Sequence, residues 1–338
     1  MTEADMGAIV MSRTDITALR PWWGARSKGN TMRVFVTGAS GHLGSAVVPE
    51  LLEAGHQVVG LARSDKSAAA LTAAGAQVHR GDIDGLDGLA AAAAAADGVI
   101  HLAFKHDAMF AGDFDGAVAA DLRAIDTLGN ALAGTGKPLV ATSGTALFAF
   151  AGLQGLLTEA DVLDAGPRIE AENAVVALAE RGIRSSVVRL PPTVHSSLDH
   201  HGFIPTFISI ARSKGVSAYV GDGANRWPAV HTLDAARLYR LALESAPAGS
   251  RLHAVDDEGI TFRQIAEGIG RGLNLPVVSI APTEAEAHFG FLSAHAQADN
   301  PSSSKLTRDL LGWTPVQPGL VDDLGQGHYF DTGATAAG

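Results

Sequence analysis

From Met32 to about Pro191, short apolar runs alternate with longer segments in which alanine and leucine recur at helical spacing. The apolar runs predict strands at Arg33–Thr37, Gln57–Ala62, Gln77–Arg80, Gly98–Ala103, Pro138–Thr142 and Ser185–Leu190. The segments between them predict helices at His42–Ala54, Ser64–Ala74, Leu86–Ala96, Asp115–Ala133 and Pro167–Arg181. Because helices alternate with strands that are apolar along most of their length, the pattern predicts a doubly wound, parallel α/β sheet.

Beyond Pro191 the alternation is less regular. Helices are predicted at Ile204–Lys214, Leu233–Ser245, Thr261–Leu273, Thr283–Ala296 and Ser303–Leu311, and short strands near Trp227–His231, Arg251–Ala254 and Val277–Ile280. This mixture predicts a smaller carboxy-terminal lobe over the carboxyl edge of the sheet, where such sheets bind ligands. We therefore divide the chain into an extension at 1–31, a sheet domain at 32–191, and a lobe at 192–330 that partly returns to the sheet.

Composition narrows the classes of function. The chain has 338 residues, of which 46% are hydrophobic, so it can bury a sizeable core. Its net charge of -11 argues against a nucleic-acid partner or an anionic membrane surface. The absence of cysteine excludes thiolate nucleophiles and thiolate metal sites, and it fits a cytoplasmic protein. No apolar run reaches the roughly 18 residues of a membrane span.

Residues 1–31 lack the apolar core of a secretory signal. We interpret them as a disordered extension or a misplaced start. The alternative is a docking arm built around Trp22 and Trp23.

The most specific motif is T-G-A-S-G-H-L-G at Thr37–Gly44, which joins the first strand to the first helix. Gly38 permits the tight turn, Gly41 lets the backbone approach a pyrophosphate, and Gly44 lets the helix pack close to the strand. Amides at the helix N-terminus then face the phosphates. The loop, including Ser40, His42 and Leu43, therefore predicts a dinucleotide site.

The end of the second strand indicates which dinucleotide is bound. It has no acidic residue for a ribose 2′-hydroxyl, whereas Arg63, Ser64 and Lys66 could hold a 2′-phosphate. We therefore predict NADP, with NADPH preferred over NADH. The alternative is that Arg63 is a solvated surface charge. Further predicted cofactor contacts follow the later strands: Asp82 and Ile83 at the adenine, Leu102, Ala103 and Phe104 at the nicotinamide, and Thr142 and Pro191.

Together these motifs resemble the short-chain dehydrogenase/reductase superfamily in its extended, NAD-dependent epimerase/dehydratase-like form. The resemblance runs from Met32 to about Leu324 and includes the glycine loop, Gly81-Asp82, Val140–Ser143, Val188–Pro191 with Val194-His195, Val230-His231 with Asp234, and Lys305-Leu306 with Leu311–Pro315. It implies a Rossmann-like fold, an NAD(P)-dependent oxidoreductase, and dimerisation through the fourth and fifth sheet helices, although a monomer stays open.

The resemblance fails at the positions where the family has its catalytic tyrosine and lysine. The family uses a tyrosine as proton donor and a lysine four residues later that holds the nicotinamide ribose. Glu172 and Arg189 keep the family's spacing, and counting back from them places Arg168 at the lysine position and Asp164 at the tyrosine position. No tyrosine occurs between residues 1 and 218. The chain is in this respect similar to the atypical branch that lacks the usual pair.

Several residues are candidates for the missing roles. Arg168 could bind ribose hydroxyls or a phosphate, or it could pair with Glu172 one helical turn away. Asp164 is interpreted as an N-cap-region residue ahead of Pro167, and an acid catalyst is the alternative. Thr145 or Ser143 could orient a substrate oxygen, or they could simply form a turn.

Lys105, His106, His195, His231 and Tyr219 are candidate proton donors, each with a structural role as the alternative. From all these candidates we select Thr145, Ser143, Arg168, His195 and Lys105 as the catalytic set. His101/His106 and His200/His201 lack a supporting ligand set, so we predict no metal.

Three functions remain open, of which we favour the first and rank the third last, because its chemistry usually needs the same missing base. The first is an NADP-dependent reductase of a ketone, imine or similar small molecule. The second is a non-catalytic NADP-binding sensor or scaffold, and the third is a nucleotide-sugar epimerase or dehydratase. A hydrophobic substrate is indicated by apolar residues expected near the cleft: Phe104, Met109, Phe148, Phe150, Phe203, Phe207 and Trp227.

Overall fold

The computed structural model describes residues 31–331. Residues 1–30 and 332–338 lie outside the described part, and with them nearly all of the predicted extension, including Trp22 and Trp23. The strands are β1 (Arg33–Thr37), β2 (Gln57–Ala62), β3 (Gln77–Arg80), β4 (Gly98–His101), β5 (Pro138–Gly144), β6 (Arg184–Leu190), β7 (Thr193–His195), β8 (Ser217–Val220), β9 (Arg226–His231), β10 (Ser250–His253), β11 (Asp257–Thr261) and β12 (Val277–Ile280).

The α-helices are α1 (Gly44–Glu53), α2 (Asp65–Ala73), α3 (Leu86–Ala94), α4 (His106–Phe110), α5 (Phe114–Leu132), α6 (Ala146–Phe150), α7 (Ile169–Ala177), α8 (Phe203–Lys214), α9 (Thr232–Ser245), α10 (Phe262–Leu273), α11 (Ala285–Phe289), α12 (Ser293–Gln297), α13 (Lys305–Leu311) and α14 (Leu320–Gly325). No helix within residues 31–331 combines the length and the apolar character needed to cross a lipid bilayer.

Seven strands form one sheet in the order β10-β6-β5-β4-β1-β2-β3, and every neighbouring pair is parallel. The order reverses between β1 and β4, which is the switch point where such sheets bind ligands. The predicted doubly wound parallel sheet is confirmed. Its first six strands end within two residues of their predicted bounds.

The alternation of side chains along each strand fills two separate cores. Val34 and Val36 of β1 point to one face, where α1 and α9 pack, and Phe35 points to the other, where α3, α5 and α7 pack. Leu51 and Leu128 are completely buried, one in each core. Burying a leucine side chain contributes roughly 1.5–3 kcal/mol, so the two apolar faces fix the position of the strand ends.

The carboxy-terminal lobe has its own aromatic core and two small sheets, β11-β9-β7 and β12-β8. The chain also returns to the large sheet, because β10 pairs with the edge strand β6 and α9 packs on α1.

The predicted helix Thr283–Ala296 is wrong as a continuous element. The chain forms α11 and α12, each preceded by a short 3₁₀ turn. Gly290, at the end of α11, has a φ of 57°, which breaks the helix.

Candidate active site

The glycine loop has the tight geometry that its sequence predicts. Gly38 has a φ of 65°, and a Cβ there would lie 2.8 Å from the Ala103 amide nitrogen. A Cβ on Gly44 would lie only 2.2 Å from the Gly38 carbonyl oxygen. Gly41 donates its amide to that same oxygen at 3.0 Å. Only glycine therefore fits at both ends of the turn.

The side chains of the loop point in different directions. His42 and Leu43 lie in the turn, because α1 begins only at Gly44. The His42 Nε2 is 3.0 Å from the Thr232 hydroxyl at the start of α9, and Leu43 packs against the core. Ser40 and Gly41 are exposed. The loop backbone is thus exposed at Ser40 and Gly41, and the contacts of His42 and Leu43 hold the turn that follows.

The residues predicted to hold the 2′-phosphate have partners within the protein. The Arg63 Nη2 is 2.8 Å from an Asp107 carboxylate oxygen, and the two side chains are 70% and 81% exposed. Ser64 caps α2 and accepts a hydrogen bond from the Ser67 amide. An ion pair so exposed contributes little, so the Arg63 guanidinium can exchange Asp107 for a phosphate. The role of Arg63 in choosing NADP stays a prediction.

The turn after β3 engages two other predicted site residues. The Asp82 carboxylate accepts hydrogen bonds from the amides of Asp84 and Gly85, at 2.9 and 3.0 Å, and Ile83 is buried. The ammonium of Lys105 forms an ion pair with Asp84. The Lys105 ammonium therefore lies at the turn after β3, whereas the Arg168 guanidinium lies at the end of β5.

Arg168 lies at the carboxyl ends of β4 and β5. Its Nη2 is 3.4 Å from the Thr142 carbonyl oxygen, and its guanidinium lies 4.3 Å from the centre of the Phe104 ring. Its Nε is buried and has no hydrogen-bond partner within residues 31–331. The structure thus brings together three predicted cofactor contacts, Thr142, Phe104 and Arg168.

Two interpretations of the segment from Asp164 to Glu172 are wrong. Glu172 does not pair with Arg168; it pairs with Arg189 at 2.5 Å and with Arg251 at 3.1 Å, in the interior. Burial alone would raise the pKa of Glu172, but the hydrogen bonds and charge of Arg189 outweigh burial and lower it. Asp164 is exposed and is not the N-cap, because α7 begins at Ile169 and its N-cap is Arg168, which has a φ of 66°.

A buried polar chain that the sequence did not reveal supports Arg168. The His101 Nδ1 is 2.7 Å from the Thr37 hydroxyl, and its Nε2 is 3.1 Å from an Asp121 oxygen. The other Asp121 oxygen lies 4.0 Å from Arg168. Because a carboxylate can only accept, we place the His101 proton on Nε2. The sequence feature that could have revealed this chain is Asp121, an aspartate on the otherwise apolar, alanine-rich face of α5.

The hydroxyls expected to orient a substrate are buried. The Thr145 Oγ1 is 2.9 Å from the Asn300 side-chain amide, and Thr145 has no exposed surface. The Ser143 Oγ is buried on the side of the Glu172 carboxylate, whose pKa it helps to lower. Contact of either residue with a substrate would require its neighbours to move, so both roles stay predictions.

His195 is also buried, as is Pro191 before it. The Nδ1 of His195 is 2.9 Å from an Asp323 oxygen on α14, which fixes the ring. His231 packs edge-on against it, with ring centres 5.4 Å apart, and accepts the Leu233 amide at the start of α9. These contacts hold both rings in place, and the catalytic role of His195 stays a prediction. Tyr219 lies under the Arg263 guanidinium in the lobe.

His106 is the candidate proton donor that the structure places beside Arg168. Its ring packs edge-on against Phe104, with ring centres 5.2 Å apart, and Phe104 in turn contacts the guanidinium of Arg168. The residue is exposed at its surface, and partial desolvation of the ring, with the Arg168 charge as the second cause, lowers the pKa of His106. The ring is therefore mainly neutral near pH 7, so it readily accepts a proton and donates one only from its protonated form. Across residues 31–331, no group of three histidine or acidic side chains could hold a metal ion.

Comparisons with known proteins show the family and the fold of this chain. A model of the NAD dependent epimerase/dehydratase family matches residues 34–149. Uncharacterized protein C2A9.02 of Schizosaccharomyces pombe is 48% identical over 299 residues, which are 88% of this chain and 100% of that protein. Uncharacterized protein YLL056C of Saccharomyces cerevisiae is 42% identical over 298 residues, 87% of this chain and 98% of that protein.

Solved structures show the same fold. The dTDP-glucose 4,6-dehydratase DesIV from Streptomyces venezuelae, crystallised with NAD and TYD, matches 88% of this chain and 96% of its own with a TM-score of 0.70 and 22% identity. The extended short-chain dehydrogenase/reductase resemblance is confirmed, while membership of the atypical branch stays a prediction. The chain belongs to the NAD-dependent epimerase/dehydratase family, a group of NAD(P)-dependent dehydrogenases, epimerases and dehydratases.

Proposed function

We propose that this protein is an NADP-dependent reductase of a ketone, an imine or a similar small, hydrophobic molecule. The observation that carries the proposal is the position of Arg168 at the ends of β4 and β5, between Thr142 and Phe104. There it can donate to the ribose hydroxyls of a nicotinamide nucleotide, as the family's lysine does. The glycine loop would hold the pyrophosphate, and Arg63 the 2′-phosphate.

The reaction also needs a proton. Hydride addition to a carbonyl carbon creates an alkoxide, which must be protonated within hydrogen-bond reach. The predicted donors Lys105 and His195 are already engaged by Asp84 and Asp323. We therefore assign the proton transfer to the protonated form of His106, which passes its proton to the alkoxide directly or through a water and is left neutral. Arginine cannot take this role, because its guanidinium does not release a proton near neutral pH.

The same structure supports a second candidate, a non-catalytic NADP-binding sensor or scaffold. The burial of Thr145, Ser143 and His195 is what favours it. Nucleotide-sugar epimerase or dehydratase chemistry is the third candidate, because DesIV is a dTDP-glucose 4,6-dehydratase. We further propose a cytoplasmic monomer or homodimer, with cofactor bound by 32–191 and substrate by 192–330.

The loss of NADPH absorbance in the presence of bulky ketones and imines tests the reductase. We expect oxidation above background, at least tenfold slower in His106→Phe, because general acid catalysis contributes about 100-fold or more. The His288→Phe variant is the control. NADPH binding without turnover across the panel would establish the sensor instead. Turnover of dTDP-glucose alone would establish the sugar-nucleotide enzyme.

A further inference from the structure

One ion pair crosses the carboxyl edge of the large sheet beside the glycine loop. Arg63 follows β2 directly, Asp107 lies in α4 after β4, and their side chains meet at 2.8 Å. β2 and β4 are the two neighbours of β1, so their ends lie roughly 10 Å apart, on either side of the strand that carries the loop. The pair therefore bridges the gap over the end of β1.

The backbone leading to this pair is fixed against the loop and the sheet. The Ala103 amide, after β4, bonds the Thr37 hydroxyl at 3.3 Å. The Gly81 amide, after β3, bonds the Ala62 carbonyl oxygen at the end of β2, at 3.2 Å. The end of β2 is also where sheets of this type recognise the 2′ position of the adenosine ribose. The ion pair thus lies at the point where the two nicotinamide dinucleotides differ.

The structure supplies at this point the carboxylate that the end of β2 lacks. Asp107 is 44 residues beyond Arg63 in sequence, so the spacing after the glycine loop does not reveal it. A carboxylate here can accept a hydrogen bond from the ribose 2′-hydroxyl of NAD. A 2′-phosphate is attracted by Arg63 but repelled by Asp107. It must also displace the carboxylate before the guanidinium can bind it through two hydrogen bonds.

Two further cations of this edge are engaged by carboxylates in the same way. The Lys105 ammonium forms an ion pair with Asp84, and the Arg80 guanidinium forms one with Asp65. At each of these cations, and at Arg63, a 2′-phosphate gains a partner only by displacing a carboxylate. The charge of the edge therefore does not favour NADP as strongly as its cations alone would.

We propose that Asp107 is a specificity-determining residue, which competes with the 2′-phosphate of NADP for Arg63 and leaves the binding of NAD unhindered. The inference rests on the proposed function, in which Arg63 receives the 2′-phosphate. It deepens that function, because the ion pair and not Arg63 alone then sets the preference for NADP. The two side chains are 70% and 81% exposed, so either can turn away when the cofactor enters. The protein accordingly binds both dinucleotides, and Asp107 keeps the preference for NADP small.

Fluorescence titration of the full chain with NADPH and with NADH tests this inference. Asp107→Asn removes the charge and keeps the shape, so the dissociation constant of NADPH should fall about fivefold and that of NADH should change less than twofold. Asp107→Glu keeps the charge and should retain most of the parent's ratio between the two constants. Because salt screens exposed charges, the gain in Asp107→Asn should shrink to less than twofold in about 0.5 M salt.

Asp299→Asn is the matched control. It removes the same charge from an aspartate that also pairs with a partly exposed arginine, Arg226, at 2.8 Å, but in the lobe. The ratio of the two dissociation constants should equal that of the parent. An unchanged ratio in Asp107→Asn, an equal change in Asp299→Asn, or a gain that persists in high salt would overturn the proposal.

The Arg63→Ala variant distinguishes failure of this inference from failure of the proposed function. If Arg63→Ala weakens NADPH selectively while Asp107→Asn leaves the ratio unchanged, only the role of Asp107 is refuted. If Arg63→Ala weakens both cofactors equally, the NADP assignment fails and the role of Asp107 fails with it. The expected shift in Asp107→Asn without any oxidation of NADPH by ketones or imines would support the role of Asp107 and refute only the reductase.

Discussion

Arg168 has a backbone conformation that side-chain-bearing residues rarely adopt. Its φ is 66°, and within residues 31–331 only Asn274, with a φ of 53°, shares this feature among residues other than glycine. A left-handed conformation costs a non-glycine residue on the order of 1 kcal/mol. The contacts with Thr142, Phe104 and Asp121 hold the guanidinium in place despite this cost. Strained residues cluster at functional sites, which supports the proposed role of Arg168 in cofactor binding.

Replacing Arg168 should separate stability from binding. Arg168→Gly relieves the strain, so the free energy of unfolding should stay the same or rise by up to about 1 kcal/mol, while the NADPH dissociation constant rises at least tenfold. Arg168→Lys should keep part of the affinity. Urea unfolding and fluorescence titration measure the two quantities. Asn274→Gly, the matched control, should leave NADPH binding unchanged; unaltered NADPH binding in Arg168→Gly would contradict the role of Arg168.

Arg63 should determine the choice between the two nicotinamide dinucleotides. Its exposed pair with Asp107 is worth less than about 1 kcal/mol, so a phosphate can compete for the guanidinium. Arg63→Ala should raise the dissociation constant of NADPH by about tenfold and that of NADH by less than twofold. Arg80→Ala removes a comparable exposed arginine that pairs with Asp65 and serves as the control. Equal effects on the two cofactors would refute the NADP assignment.

At the scale of elements, the close packing of α1 against the loop after β1 requires a residue without a side chain at Gly44. A Cβ on Gly44 would lie 2.2 Å from the Gly38 carbonyl oxygen and 2.6 Å from the Ala39 carbonyl carbon. Gly44→Ala must therefore push the helix away from the loop. We expect a loss of unfolding free energy of about 1–3 kcal/mol and at least a tenfold loss of NADPH affinity.

A matched control for this change is Gly88→Ala in α3. The nearest atom to its Cβ would be 3.4 Å away, on a His79 side chain, and alanine favours a helix by up to about 1 kcal/mol. That variant should be as stable as the parent or more stable, with cofactor binding intact. Thermal melting of both variants provides the comparison, and normal NADPH binding by Gly44→Ala would show that the loop tolerates displacement.

Sequence patterns predicted some elements well and others poorly, for physical reasons. The strands of the large sheet are buried on both faces, so each appears as an apolar run between turn residues. β7, β8 and β11 were missed because they have only three to five residues and form by pairing with distant partners. The glycine loop was predictable from local backbone requirements. The support of Arg168 by Asp121 was not, because it joins residues far apart in sequence.

At the scale of the whole molecule, a buried ionic network joins the last strands of the sheet. Arg189 bonds Glu172, and its Nη1 is 3.2 Å from the His253 Nε2 on the neighbouring strand β10. The other ring nitrogen of His253 is 2.7 Å from the Ser303 carbonyl oxygen. Burial, with the Arg189 charge as the second cause, lowers the pKa of His253 to about 4. The network therefore requires a neutral His253.

This network predicts loss of stability in mild acid. The unfolded chain binds a proton on His253 near pH 6.5 and the folded protein only near pH 4, so stability falls as the pH drops between these values. The contribution of His253 should be about 2 kcal/mol between pH 7 and pH 5. Glu172, with its lowered pKa, adds a loss only below the ordinary carboxyl range. Half-buried His42 and buried His231, whose pKa values are also lowered by burial, act in the same direction as His253.

Urea unfolding of His253→Asn across this pH range checks the assignment. Asparagine retains a donor for the Ser303 carbonyl oxygen but does not titrate. The variant should be less stable at pH 7, and its stability should fall less steeply between pH 7 and pH 5 than that of the parent. A slope as steep as the parent's would assign the acid sensitivity to other histidines.

The return of the chain to the large sheet affects how the protein can be recombined with its relatives. α9 covers α1 and β10 completes the sheet edge beside β6, although both follow the first segment of the lobe in the chain. A chimaera that joined this chain to a relative at a single point after Pro191 would therefore also replace α9 and β10. Both elements pack in this protein's own large sheet. An exchange of substrate preference by transplantation would need two inserts, at 192–231 and 254–331, spliced around a retained 232–253. Under the proposed division of roles, substrate specificity would be transferred as a discontinuous module.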